Sequence, residues 1–332
     1  MKWNLRIILL ATVLFLPISA TTSFDVQAKQ SQKKQSVSTK KTTLKARKSF
    51  VKKSSAKQPD RFSALVVNAN NGQILYEKNA GATRYPASLT KMMTLYLAFE
   101  ALKKGELDMS DRLPVSEKAA GQPQTNISLN AGDRLPLKTA IESLVVRSAN
   151  DSSVVLAEAL GGTTWNFALM MTQKARALGM KNTVFRNPNG LPDNQQYTTA
   201  YDMAKLGIAL RRDFPEYYPM FKITSFSYDG VTYPGHNRVM QRYDGVDGIK
   251  TGYIRASGFN LVTSVKKDGY NLVAVIMGGS SAAARDNAMI DMLDRTFAQL
   301  ENTQKTMTKS SEESLKTSMV TGKSTTTASL GQ

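Results

Sequence analysis

Strand-patterned segments stand on both sides of a helix-patterned middle, and that order limits the available folds more than any single motif does. Residues 63–69 and 73–79 flank Asn70-Asn71-Gly72, a hairpin signal because short turns of the required hand need positive φ. Apolar residues then recur at helical spacing over 88–103, 136–146, 152–160, 164–178 and 199–211, with Ser88 read as the N-cap of the first helix and Gly105 just past its end. Strand pattern returns at 225–233 around Asp229-Gly230, at 248–253, and at 258–265 and 270–277 around Asp268-Gly269; a last helix covers 282–300. The expected fold is α+β: an antiparallel sheet flanked by helices, with a helical lobe inserted between parts of the sheet.

The ends read differently from this middle. Residues 1–28 have the make-up of an export signal, with Lys2 and Arg6 ahead of an apolar stretch at 7–18 that is short for a bilayer span, and small-residue cleavage sites after Ala20 or Ala28. The formal net charge is +18, yet residues 29–58 alone hold ten Lys, one Arg and no acid. That leader is too polar to fold, and near a charged surface each Lys is worth ~1 kcal/mol, so an anionic envelope surface is a possible partner for it. The Ser- and Thr-rich segment 303–332 is expected to be a second disordered tail, with no amphipathic stripe to serve as a C-terminal membrane anchor. The folded domain is therefore expected over 59–302, in a protein that is exported and periplasmic or cell-wall associated. Nucleic acid is not an expected partner, because a reader of nucleic acid carries its excess charge inside the fold.

Cysteine is absent and His236 is the only histidine. These counts exclude a disulfide frame, a thiol nucleophile and most zinc sites, so no metal and no cofactor is expected. His236 itself, beside Asn237, reads as a turn residue rather than a base. Any hydrolase here needs a base other than histidine.

Three short motifs supply one. Ser88-Leu89-Thr90-Lys91 opens an apolar helix, placing Ser88 and Lys91 on one face a turn apart near the positive end of the helix dipole. Ser148-Ala149-Asn150 falls in the break between two helices, where a loop aims polar groups into a cleft; Ser128-Leu129-Asn130 has the same spacing in a turn-rich stretch. Lys250-Thr251-Gly252 occurs once, on a strand, offering a cation, a hydroxyl and an uncluttered backbone.

In this order and on these elements, the motifs resemble the signature of the penicillin-binding and serine β-lactamase superfamily. The chain is more closely similar to serine D-alanyl-D-alanine carboxypeptidases of low molecular mass. Tyr85 to Met92, Ser148 to Asp151, His236-Asn237-Arg238, Asp247 to Tyr253 and Ser257 to Val262 all carry that likeness, which spans residues 60–300.

The resemblance implies a covalent mechanism on the terminal D-Ala-D-Ala of a peptidoglycan stem peptide, inhibited covalently by β-lactams. Ser88 would attack, Lys91 take its proton, and Lys250 help Ser148 protonate the leaving amine. Asn150 would hold the peptide amide, and the N–H groups of Ser88 and Tyr253 the oxyanion, with Gly252 beside them. Thr251 and Arg285 would grip the free carboxylate. A free lysine titrates near ~10.4, and bringing Lys91 near ~7 takes roughly 4 kcal/mol, which requires desolvation and a second cation such as Lys250. A crossbridge endopeptidase and a non-catalytic wall-binding protein tethered by the leader are the alternatives. The stretch 187–193 has no glutamate to hold a deacylating water, so fast β-lactam turnover is not expected.

Overall fold

The computed structural model describes residues 61–322, with side chains to 316. The export-signal and leader segments, 1–28 and 29–58, and residues 323–332 lie outside the described residues. The chain begins with the expected hairpin, β1 (Ser63–Asn68) and β2 (Ile74–Lys78), paired antiparallel across the Asn-Asn-Gly turn. A 3-10 turn, Ala87–Thr90, leads into α1 (Lys91–Lys104), which Gly105 closes in the left-handed conformation at φ 71°.

The helical lobe follows. A two-stranded ribbon of β3 (Arg112–Pro114) and β4 (Arg134–Pro136) encloses the short α2 (Glu117–Ala120), and α3 (Leu137–Val146), α4 (Asn150–Gly161) and α5 (Thr164–Ala177) complete the lobe. The chain returns to the sheet through α6 (Ala200–Asp213), whose first turn is capped by the Thr199 hydroxyl accepting from Asp202 N–H at 3.1 Å. A second hairpin, β5 (Ser225–Tyr228) and β6 (Val231–Pro234), precedes three long strands, β7 (Val246–Ile254), β8 (Gly258–Lys267) and β9 (Tyr270–Gly279). The last helix is α7 (Ala282–Gly322).

The main sheet runs β2-β1-β9-β8-β7, antiparallel throughout, so the opening hairpin joins the closing strands and the helical lobe is an insertion between them. The period-two alternation of side chains then builds a core on each face. Leu65, Val67, Val273 and Val275 pack with the lobe and α6, while Ala64, Val66, Ala274 and Ile276 pack with Met289, Leu293 and Phe297 of α7. The α+β expectation, including the inserted lobe, is borne out.

Two local expectations are corrected. Ser88 does not cap α1: it lies in the 3-10 turn, the α-helix starts at Lys91, and no side chain caps that start. The expected disordered tail from residue 303 is helical as far as Gly322. Its exposed stretch is mainly polar, with Met307 and Leu315 exposed, and is supported by i,i+4 contacts, including Lys305–Glu301 at 2.5 Å and Thr306 and Thr308 hydroxyls donating one turn back.

Candidate active site

The site forms where the lobe meets the edge strand β7. A cleft of about 730 Å³ opens there, with Ser88, Ser148 and Asn150 on its walls and Thr251, Gly252 and Tyr253 along the strand. Edge position matters, since one side of β7 pairs with β8 and the other faces the lobe.

Three contacts fix the turn that carries Ser88. Asn260 of β8 donates to the carbonyls of Tyr85 and Pro86 at 3.1 and 3.2 Å and accepts from Gly278 N–H at 3.0 Å. Gly252 comes so close to the turn that a Cβ there would stand 3.0 Å from Ser88 N. At Gly190, φ is +84° and a Cβ would meet the carbonyl oxygen of Ala87 at 1.9 Å, so only glycine fits. Ala87, pressed from this side, takes φ 49°, a conformation costing about 1–3 kcal/mol in a residue with a Cβ. This clamping points the Ser88 hydroxyl into the cleft and away from capping.

Lys91, one turn on, is fully buried. Its Nζ donates to Asn150 Oδ1 at 2.7 Å and to the Asn189 carbonyl at 2.6 Å, and lies 3.3 Å from Ser88 Oγ. Desolvation first, and then the nearby charge of Lys250, lower the Lys91 pKa well below the usual lysine value, against a smaller opposing pull from Asp151. A neutral amine has two N–H donors and one lone pair. In that neutral form the two asparagine oxygens would take both donors, and the lone pair would be the group left to accept from the Ser88 O–H.

Asn150 is held in turn by donating its amide to the Pro123 carbonyl at 2.8 Å. Asp151 beside it is completely buried and accepts from the backbone N–H groups of Ile127, Leu129 and Ser152, tying the ribbon segment to α4. Ser148 sits at φ 63°, its Oγ buried without a hydrogen-bond partner. The rival Ser128-Leu129-Asn130 is outward-facing, with Ser128 and Asn130 exposed.

Lys250 is buried under β7, and its pKa falls to about 7, through desolvation and then the charge of Arg285. It donates to the Thr251 carbonyl at 3.1 Å rather than to Ser148. Tyr253 is 53% exposed, its ring stacked on Phe259 at 4.3 Å between centroids. Arg285 reaches the same wall as Thr251, but its Nε and Nη2 donate to Asp286 Oδ1 at 2.9 and 2.6 Å, and its Nη1 to the Asn260 carbonyl at 3.2 Å. His236 also lines the cleft, where desolvation and then the cations Lys250, Arg147, Arg285 and Arg238 bring its imidazole to about 4, leaving it neutral at pH 7.

Seven of the nine residues singled out in the sequence line one cleft, and the other two, Lys91 and Lys250, are buried next to lining residues, Lys91 against Ser88 and Asn150 and Lys250 before Thr251. Sequence reasoning missed Asn189, Asn260 and Asp286, which act through a carbonyl, a carboxamide and a salt bridge that no local motif announces.

A buried lysine amine 3.3 Å from a serine hydroxyl, beside an open cleft, is an arrangement chemically able to activate that serine without a histidine. The chain belongs to the D-alanyl-D-alanine carboxypeptidase family, whose model matches residues 49–281. It is 36% identical over 247 residues to D-alanyl-D-alanine carboxypeptidase DacF of Bacillus subtilis, covering 72% of this chain and 62% of the relative. It is 35% identical over 236 residues to DacA of Escherichia coli K12, covering 69% and 59%. The chain thus spans about three fifths of the length of these curated relatives. Among solved structures, penicillin binding protein 5 from Haemophilus influenzae superposes with a TM-score of 0.69 at 33% identity, covering 71% of this chain and 70% of that one.

Proposed function

We propose that this protein is a serine DD-carboxypeptidase that removes the terminal D-Ala from peptidoglycan pentapeptides. The observation that carries the reading is the buried Lys91 Nζ, 3.3 Å from Ser88 Oγ and donating to Asn150 and Asn189, with its pKa lowered by desolvation and by Lys250. Ser88 Oγ attacks the carbonyl carbon of the penultimate D-Ala as its proton passes to Lys91 Nζ. The negative oxygen is held by the backbone N–H groups of Ser88 and Tyr253. The C–N bond then breaks, and the leaving D-Ala amine takes a proton through Ser148, whose buried, unpartnered hydroxyl suits a group that acquires its partner from the substrate. Water hydrolyses the Ser88 ester and frees both enzyme and shortened peptide.

Asn150 also holds the substrate amide in this scheme, while Lys250, Thr251 and Arg285 receive the free carboxylate. Three of the five N–H groups of Arg285 are used by Asp286 and Asn260, which leaves two for the substrate. β-Lactams mimic the same acyl group and would trap Ser88 as a stable ester. Residues 1–28 would export the chain, and the ten lysines of 29–58 would hold it to anionic envelope polymers, a contact that salt weakens.

Intact mass before and after penicillin, with D-Ala release from a pentapeptide, tests the reading. One adduct, mapped to Ser88, with D-Ala release is the expected result. A folded protein that neither forms the adduct nor releases D-Ala would overturn it.

A further inference from the structure

Outside the cleft, the described surface has few exposed large apolar side chains, and three of them, Trp165, Leu169 and Met170, lie on α5. Trp165 is 51% exposed and Leu169, one turn on, 52%. Cations frame the indole. The Arg186 guanidinium stacks on it at 4.6 Å from the ring centroid, and makes no ion pair among the described residues; its Nε is buried without a hydrogen-bond partner. Lys118 donates to the hydroxyl of Thr164, the residue before Trp165.

This surface is wired to the cleft. Lys118 is linked through its carbonyl to Gln122 Nε2 at 2.9 Å, and Gln122 Oε1 accepts from Asn189 Nδ2 at 2.9 Å. Asn189 is the residue whose carbonyl holds Lys91. Arg186 lies three residues before Asn189 on the same loop. A chain of hydrogen bonds thus runs from Lys118 through Gln122 to Asn189, which lines the cleft.

We infer that Trp165, with Arg186 and Lys118, forms a stacking platform for an N-acetylated amino-sugar strand, the part of the substrate from which the stem peptide hangs. This inference rests on the proposed peptidoglycan reading and extends it from the peptide to the glycan. A flat, half-open indole matches the C–H face of a pyranose, and the Arg186 guanidinium on the ring, with Lys118 at neighbouring Thr164, offers donors that match hydroxyl and acetamido oxygens. A protein partner is the less suitable occupant: it would need a patch of several hundred Å², whereas only Trp165, Leu169 and Met170 are large exposed apolar side chains on α5, and the cation on the ring favours a polar ligand.

Two measurements on the full chain test the platform. Trp3 is the chain's other tryptophan, so the Trp165→Phe protein gives the background and the difference in emission reports the site. Titration with a peptide-free trimer of N-acetylglucosamine is expected to shift that emission saturably, and Arg186→Ala to weaken the binding. In kinetics, Trp165→Ala should lower kcat/KM for disaccharide-pentapeptide roughly tenfold, the scale of one well-made aromatic contact, and leave free pentapeptide within about twofold. Trp165→Phe should recover part of the loss. No fluorescence response, or equal losses on both substrates, would overturn the platform. The fluorescence arm needs no catalysis, so sugar binding without D-Ala release from either substrate would sink the carboxypeptidase reading and leave the platform standing.

Discussion

Lys91 Nζ lies 3.3 Å from Ser88 Oγ, yet its shortest contacts are with two acceptors on other elements, Asn150 Oδ1 at 2.7 Å and the Asn189 carbonyl at 2.6 Å. The serine's reactivity is therefore set by residues 59 and 98 positions away from the lysine. Each prediction below follows from a partner of this kind.

Asn150→Asp places a carboxylate against Lys91 where a neutral carboxamide now sits. The added negative charge raises the lysine pKa and keeps it protonated at neutral pH. Acylation by penicillin at pH 7 should fall by a factor on the order of 10², within the range of a lost general base, and recover as the pH is raised. Stopped acylation time courses from pH 6 to 10 would show this; a uniform loss at every pH would contradict it.

Lys250 gives up its proton at about 7 in the folded protein, whereas in the unfolded chain it keeps it to the ordinary lysine value of 10.5. Between those values the unfolded state binds more protons, so this group makes stability rise with pH; below 7 its penalty is fully present. Lys250→Met should accordingly stabilise the fold most near pH 6–7, with an advantage that shrinks towards pH 10. Urea midpoints of the two proteins across that range decide the matter, and a constant advantage would mean that folded Lys250 keeps its proton.

Gly190→Ala forces a methyl group into the Ala87 carbonyl at a backbone angle of +84°. The variant should lose at least about 2 kcal/mol of stability through strain and overlap. Whatever remains folded should acylate slowly, because the displaced loop presses on the turn that carries Ser88 and supplies the Asn189 carbonyl that holds Lys91. Full acylation rate in the folded fraction would show that the loop does not position the serine.

Arg285→Ala leaves Asp286 buried without its cation, and breaking a buried pair from one side costs about 3–5 kcal/mol. Removing both, Arg285→Ala with Asp286→Ala, should restore much of that stability without restoring use of a free carboxylate. KM for a peptide acid should then rise while that for the peptide amide stays level. A rescue of both stability and KM would place the arginine in a purely structural role.

The sheet and its inserted lobe were legible because they rest on local signals: Asn-Asn-Gly and Asp-Gly turns, glycine at the end of α1, threonine ahead of α6. The ribbon of β3 and β4 was not, since three-residue strands carry too little periodicity to read. The continuation of α7 beyond residue 300 escaped for a different reason. Its polar sequence has no buried face to reveal a helix, only side-chain pairs one turn apart.

At the site, the residues that meet the cleft were readable as motifs, and those that hold them were not. Asp286 is invisible because a neighbouring Arg-Asp pair on a helix looks like solvated surface until both prove buried, at 4% and 2% exposure. Asn260 is equally silent in sequence, because its contacts are to the backbone of Tyr85 and Pro86, 175 and 174 positions earlier. The Ser88 cap expectation failed on the same ground, as distant contacts hold that turn.

The pairing of β1 with β9 joins the opening hairpin to the last strand, with Ser63 opposite Met277 and the whole lobe between them. Ser88 leaves that hairpin, and Lys250 and Asn260 arrive only with the closing strands. During synthesis Ser88 is therefore made long before Asn260, which holds its turn, and Lys250, which lowers the Lys91 pKa. A covalent label on Ser88 would for that reason count finished molecules alone, and serve as a stopwatch for the slow, long-range closure of the sheet.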